Sequence, residues 1–289
     1  MKLIVILSVL ICCSLSVAVA AEESEPAKIG NFILPGSRQP GPLIAFGENI
    51  LEKNETQVFL LTNYLNGKDK QMVDQVPSLL YGIRDDFSVF FNLPIAVSFD
   101  ENQHHSSGLE DSFVQFEYAY YLKTTSTHAD QATIVGAAYI PTGSSSANPP
   151  TGFGSPSFFE GVTFNRTFTY WMLFTSYGAL LTTEKDNTQF GNQYLYQAGF
   201  ERNLFDIDNS WIFACVVEAD GQYTEKDRFN GVIDNNSGGN TVFITPSLWI
   251  SSEKFIFQLG AGLPVVQHLF GSQDRSNYLL SLNLGWVFN

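Results

Sequence analysis

Polar and apolar residues alternate in short runs along this chain, most cleanly at its end. From residue 278 onward the even positions carry Tyr278, Leu280, Leu282, Leu284, Trp286 and Phe288, and the odd ones include Ser281, Asn283 and Gly285. A period of two is the repeat of a strand whose faces meet different surroundings. One face here is apolar with aromatics at both ends; the other is small or polar. Residues 87–99 repeat the pattern, with Phe87, Val89, Phe91, Leu93, Ile95, Val97 and Phe99 against Ser88, Phe90, Asn92, Pro94, Ala96 and Ser98. Residues 76–83 form its partner across the polar turn 84–86.

The charges follow the same parity. In 111–123, Val114, Phe116, Tyr118, Tyr120 and Leu122 oppose Gln115, Glu117, Ala119 and Lys123. Lysine at a bilayer midplane costs roughly 2–4 kcal/mol, so a wall facing lipid requires this segregation. Tyr194, Tyr196, Ala198 and Phe200 stand likewise against Gln193, Gln197 and Glu201. Trp211, Phe213, Cys215 and Val217 oppose Glu218, and Phe255, Phe257, Leu259, Ala261 and Leu263 oppose Gln258, Gly260 and Gly262. Weaker runs at 57–65, 131–141, 156–164, 168–181 and 240–251 bring the expected strands to about twelve, an even number as a single-chain barrel needs. Pro246 and Pro264 fall within expected strands, where proline is tolerated at bulges or rims.

Connection lengths point the same way. With residues 84–86, 124–130, 165–167, 205–209 and 252–253 at one end, and 66–74, 100–110, 142–155, 182–189, 222–239 and 267–276 at the other, short and long alternate. Outer-membrane barrels join their strands by short periplasmic turns and longer outer loops. The fold class read from these patterns is all-β: a transmembrane, antiparallel, up-and-down β-barrel of about twelve strands, closed by the last strand, in the outer membrane of a Gram-negative bacterium.

Composition refines this picture. Lys2, an apolar run to about Val19 and the small residues 18–21 describe a cleavable secretory signal over residues 1–21. Ile11 before Cys12 argues against lipidation. Outside that segment Cys215 is the sole cysteine, so no internal disulfide is expected. No later run of eighteen or more apolar residues suggests a membrane helix. The balance of 29 Asp+Glu against 15 Lys+Arg makes nucleic acid a poor partner. Residues 22–56, rich in Pro and Gly around 34–43, read as an extended periplasmic arm or as a short plug inside a lumen, ahead of a barrel over 57–289.

Several stretches resemble the outer-membrane transporter family named after the MetA pathway of phenol degradation. They are Pro77 to Pro94, Gly108 to Asp111 (Glu110 standing where the family usually has a second glycine), Ala138 to Gly143 with Pro149 to Gly154, and Leu284 to Phe288. The resemblance implies a pore-like barrel passing small, often hydrophobic or aromatic molecules, and it brings no catalytic set.

The inward residues expected to line the pore are Gln115, Glu117, Gln193, Gln197, Glu201, Glu218, Gln258 and Asn283. Glutamates dominate their charges, which favours cations or neutral polar solutes over anions. The blander reading is that these side chains only solvate an inner wall. No cofactor or metal is expected, and the expected partners are outer-membrane lipids, a small-molecule solute and, through the last strand, the barrel-assembly machinery. Two other functions stay open. An outer-membrane lipid hydrolase would need a serine, a histidine and an orienting group, for which His105 and Ser106 are the sole candidates. A surface-exposed adhesion or structural barrel would use the long loops 142–155 and 222–239.

Overall fold

The computed structural model describes residues 26–288, Glu48 excepted; the expected signal segment lies outside the described residues. Twelve antiparallel rungs form the barrel: β1 (Thr56–Gly67), β2 (Lys70–Arg84), β3 (Phe87–Asn92, resuming as Ile95–Glu101), β4 (His104–Leu109, resuming as Ser112–Thr124), β5 (His128–Ile140), β6 (Ser157–Phe168), β7 (Trp171–Thr182), β8 (Gln193–Ile207), β9 (Trp211–Thr224), β10 (Gly239–Ser252), β11 (Phe255–Leu269) and β12 (Ser276–Phe288). Each pairs with its sequence neighbour, and β12 closes on β1 from Thr56 opposite Phe288 to Asn66 opposite Tyr278. Closure removes the free edges that a lipid solvent would leave unpaired. No helix among the described residues is long and apolar enough to cross a membrane.

The alternation on β12 is resolved as expected. Leu280, Trp286 and Phe288 lie outside, exposed by 40–56%, whereas Ser281 and Val287 are buried. The prolines fall where the ladder is interrupted. Pro264 sits at the register shift between β10 and β11, and Pro246 in a gap of the same ladder. Pro94 breaks β3 at the height where the Pro77 carbonyl accepts the Leu93 N–H at 3.1 Å.

Two expected outer loops are strand instead. Residues 66–74 are the β1–β2 hairpin, turned at 68–69, and 100–110 the β3–β4 hairpin, turned at Asn102 and Gln103 with φ of 49° and 69°. These polar strand ends rise with no apolar face, so they carry no alternation to read. Long outer connections remain at 141–156, 183–192, 225–238 and 270–275. Lys123 is a second correction. A register shift between Ala119 and Tyr121 reverses the parity of β4, turning Leu122 to the interior cavity and Lys123 outward. There Lys123 stands opposite Asp130, whose carboxylate takes Nε and Nη2 of Arg166 at 2.6 and 2.7 Å. This charged group lies beside the 125–127 turn, at the rim, where such charges cost little.

Candidate functional site: the occupied lumen

Residues 30–47 and 49–51 lie inside the barrel. Pro35, Pro40 and Pro42 deny this segment regular hydrogen bonding beyond two 3₁₀ turns, Gly30–Ile33 and Gly36–Arg38. Its backbone groups therefore need partners from the wall, since an unmet buried N–H costs as much as a lost hydrogen bond. The inward polar side chains supply them.

Glu218 on β9 accepts three consecutive backbone N–H groups, from Leu43 at 2.6 Å and from Ile44 and Ala45 at 3.1 Å each. Gln197 accepts the Phe46 N–H at 3.2 Å. On β4, Glu117 takes both the backbone N–H of Asn49 at 2.9 Å and its side-chain amide at 2.8 Å, and is steadied by the Gln115 amide at 2.6 Å. Glu201 accepts the Asn31 amide at 2.9 Å, and Ser88 the Leu51 N–H at 2.9 Å. Carbonyls of the segment are met in turn: Gln258 donates to Gly41 at 3.1 Å, Ser251 to Arg38 at 2.8 Å and Ser176 to Phe46 at 3.2 Å.

Apolar contacts fix the same segment. Leu34 packs with Ile212, Ala214, Trp249 and Ile256, and Ala45 against Met172, Phe174 and Val216. Phe46, at the apex, lies on Val135, Ala137, Phe159 and Leu180, edge-on to Phe159 with centroids 4.7 Å apart. The Phe46 ring rests over Gly161, where a Cβ would come 2.6 Å from it, so the glycine makes the seat. At the rim where β1 begins a buried ion pair, Arg38 to Glu55 at 3.0 Å, ties the plug to the start of β1, and Arg38 Nε donates to the Glu253 carbonyl at 3.0 Å.

A cavity of about 880 Å³ remains around this plug. More than half of its barrel lining comes from β1–β4, including Leu61, Val76, Asn92, Phe113 and Gln115, with Asn283 from β12. No charged side chain of those five strands lines it. Hydrogen-bonded pairs fill this wall: Ser78 with Asn92 at 2.7 Å and Ser281 with Asn63 at 2.7 Å.

The eight residues singled out from the sequence thus divide. Gln115 and Asn283 line the cavity; Glu117, Gln197, Glu201, Glu218 and Gln258 hold the plug; Gln193 accepts from Gln222 at 3.2 Å, above it. Asp220, two positions from Glu218 and sharing its parity, is buried as well and accepts Thr245 at 3.1 Å. Parity alone would have found Asp220. The plug residues Asn31, Arg38 and Asn49 carry no periodic signal.

His105 and Ser106 do not engage each other. His105 Nδ1 lies 2.9 Å from Asp100, and Ser106 donates to the Pro149 carbonyl at 2.6 Å. Among the described residues no group of three or more His, Cys, Asp or Glu could hold a metal ion. In the outer loops Asp227 accepts the Gly191 N–H at 2.7 Å, and burial, with Asp234 nearby, raises its carboxyl above the ordinary range.

A closed twelve-stranded antiparallel barrel, greasy outside and filled from within by its own N-terminal segment, has the architecture of an outer-membrane β-barrel. Among solved structures the chain is similar to the COG4313 outer membrane channel from Pseudomonas putida F1, with a TM-score of 0.69 at 14% identity over 86% of this chain and 99% of that one. It also matches the NanC porin (TM-score 0.47, 10% identity, 80% and 98% covered) and the β domain of the Bordetella autotransporter BrkA (0.47, 6%, 82% and 100%). No family model matches the sequence, and no curated protein does.

Proposed function

We propose that the protein is an outer-membrane channel that passes small, uncharged, partly apolar solutes beside its plug. One observation carries this reading: the wall glutamates bind the plug, and the lining of the remaining gap on β12 and β1–β4 is amides, hydroxyls, aliphatic groups and aromatic rings. Pore selectivity follows the groups that line the narrow part. Although Asp130 of β5 and Lys28 and Glu52 of the N-terminal segment also line the cavity, the face on β12 and β1–β4 carries no charge and offers an ion nothing in exchange for its hydration shell, whereas a neutral solute gives up less. The fold shared with the Pseudomonas channel supports a conducting role. The charge preference is read from this chain's own residues.

Passage through such a gap makes and breaks no bond. Plug and wall form a rigid frame, and Asn92, Gln115 and Asn283 give a solute hydrogen bonds along one side of its path. Liposome swelling with the refolded protein tests this. Arabinose is expected to enter faster than gluconate or glucosamine of similar size. Equal rates for all three would refute the neutral lining, and no swelling with any of them would refute the channel.

A further inference from the structure

The barrel's exterior gathers basic side chains at the end where the turns are short. Arg166 on β6 gives Nε and Nη2 to the Asp130 carboxylate, yet its side chain remains 43% exposed. Lys123 stands across the ladder from Asp130, and Nε2 of His128 lies 3.8 Å from the same carboxylate. Arg202 on β8 stands opposite Trp171 of β7, and both Lys123 and Arg202 are exposed. Asp130 is buried in the wall. Glu201, the other acid within residues 118–123, 128–134, 162–168, 171–177 and 198–204, points inward to Asn31. In a chain whose acids outnumber its bases by 29 to 15, three permanent cations thus share this stretch of wall with one carboxylate.

Aromatic rings stand among these cations. Phe168 stacks on Trp171 with centroids 3.9 Å apart and planes at 19°, and Trp171 on Phe200 at 6.3 Å and 28°. Amphipathic rings settle at the level of lipid headgroups. Leu173 lies opposite both Arg166 and Phe200 in the register, and it is exposed, as are Phe164 and Ile134 on the neighbouring strands. Charge, rings and aliphatic surface therefore follow one another along the wall in the order of an amphiphile's headgroup, glycerol and chains. A guanidinium fork matches a phosphate, and the excess of positive charge suits a headgroup of net negative charge. Short turns of an outer-membrane barrel face the periplasm, and the leaflet on that side is glycerophospholipid.

We propose that this patch binds one anionic glycerophospholipid, its phosphate at Arg166 with Lys123 and Arg202 on either side, and its chains along Phe164, Leu173 and Phe200. The site does not depend on the channel reading. Refolding the full chain in detergent with phosphatidylglycerol, phosphatidylcholine or lipid A, and counting retained lipid by native mass spectrometry, tests it. The variant Lys123→Gln/Arg202→Gln leaves the Arg166–Asp130 pair intact, and heat-modifiable gel migration reports whether its barrel is folded. The control Lys68→Gln/Lys185→Gln removes the same charge from the opposite end of the barrel. Wild type and control are expected to retain phosphatidylglycerol in preference to phosphatidylcholine. The wall variant should hold it about thirtyfold more weakly, the scale of two cations lost beside a charged lipid surface. Equal loss in the two variants, phosphatidylcholine held as tightly as phosphatidylglycerol, or no lipid on the wild type overturns the site. Lipid A held through Lys123 and Arg202 would overturn the phospholipid as its occupant.

Discussion

The two sides of the lumen are built from similar inward-facing residues and put them to opposite uses. On β5–β11 the wall is turned toward the plug: Glu218, Gln197, Glu201 and Gln258 satisfy its backbone and side-chain groups, and Val135, Phe159, Met172, Phe174 and Ile256 pack against it. On β12 and β1–β3 most polar groups, Ser88 and Gln57 aside, satisfy one another, and the space in front of them stays open. β4 is the boundary, with Glu117 on the plug and Gln115 at the cavity. The difference teaches that inward polarity alone does not define a pore. A carboxylate in a lumen is a strong acceptor, and an aperiodic segment with unmet N–H groups is what it binds best.

Removing an acceptor from the plugged side should therefore act far more strongly than changing the open one. Glu218→Ala strands three N–H groups at once and should loosen the plug by about 3 kcal/mol, because a buried donor left without its partner costs about 1–3 kcal/mol and the segment relaxes in part. The readout is trypsin cleavage at Lys53, which should accelerate in the refolded protein; unchanged protection would mean the plug is held by packing alone. Glu117→Ala, at the boundary strand, loses two bonds to Asn49 and should give a smaller acceleration, about 2 kcal/mol in the same assay. Asn283→Lys, on the open side, should leave cleavage at its wild-type rate and move the reversal potential in a salt gradient toward the anion. A shift in cleavage without one in reversal potential would reverse the assignment of the two walls.

Much of this architecture was legible in the alternation. Period-two patterning with charges on one parity fixes which face of a strand meets lipid, and β12, β9 and β11 follow it closely. It fails where the physics behind it is absent. The upper ends of β1–β4 stand clear of lipid, so no apolar face marks them, and the β3–β4 turn uses Asn102 and Gln103 in place of the glycine that signals a hairpin. The bulge after Ala119 inverts parity without a sequence cue and moves Lys123 to the outside. The N-terminal segment was visible as a Pro- and Gly-rich stretch that left arm and plug both open, and its position depends on acceptors more than a hundred residues away, such as Glu218 for Leu43. The eight residues share the polar parity of their strands in the sequence; what they bind was not legible there.

The central claim is that the plug occupies the acidic side of the lumen and leaves a gap whose face on β12 and β1–β4 carries no charge. Single-channel recording in a salt gradient, comparing the whole protein with one lacking residues 22–54, tests it directly. The account predicts a small, weakly selective conductance for the whole protein. Without the plug it predicts a several-fold larger one whose reversal potential moves toward the cation, as Glu117, Glu201, Glu218 and Asp220 come to face water. Equal conductance and equal selectivity in the two proteins would contradict it.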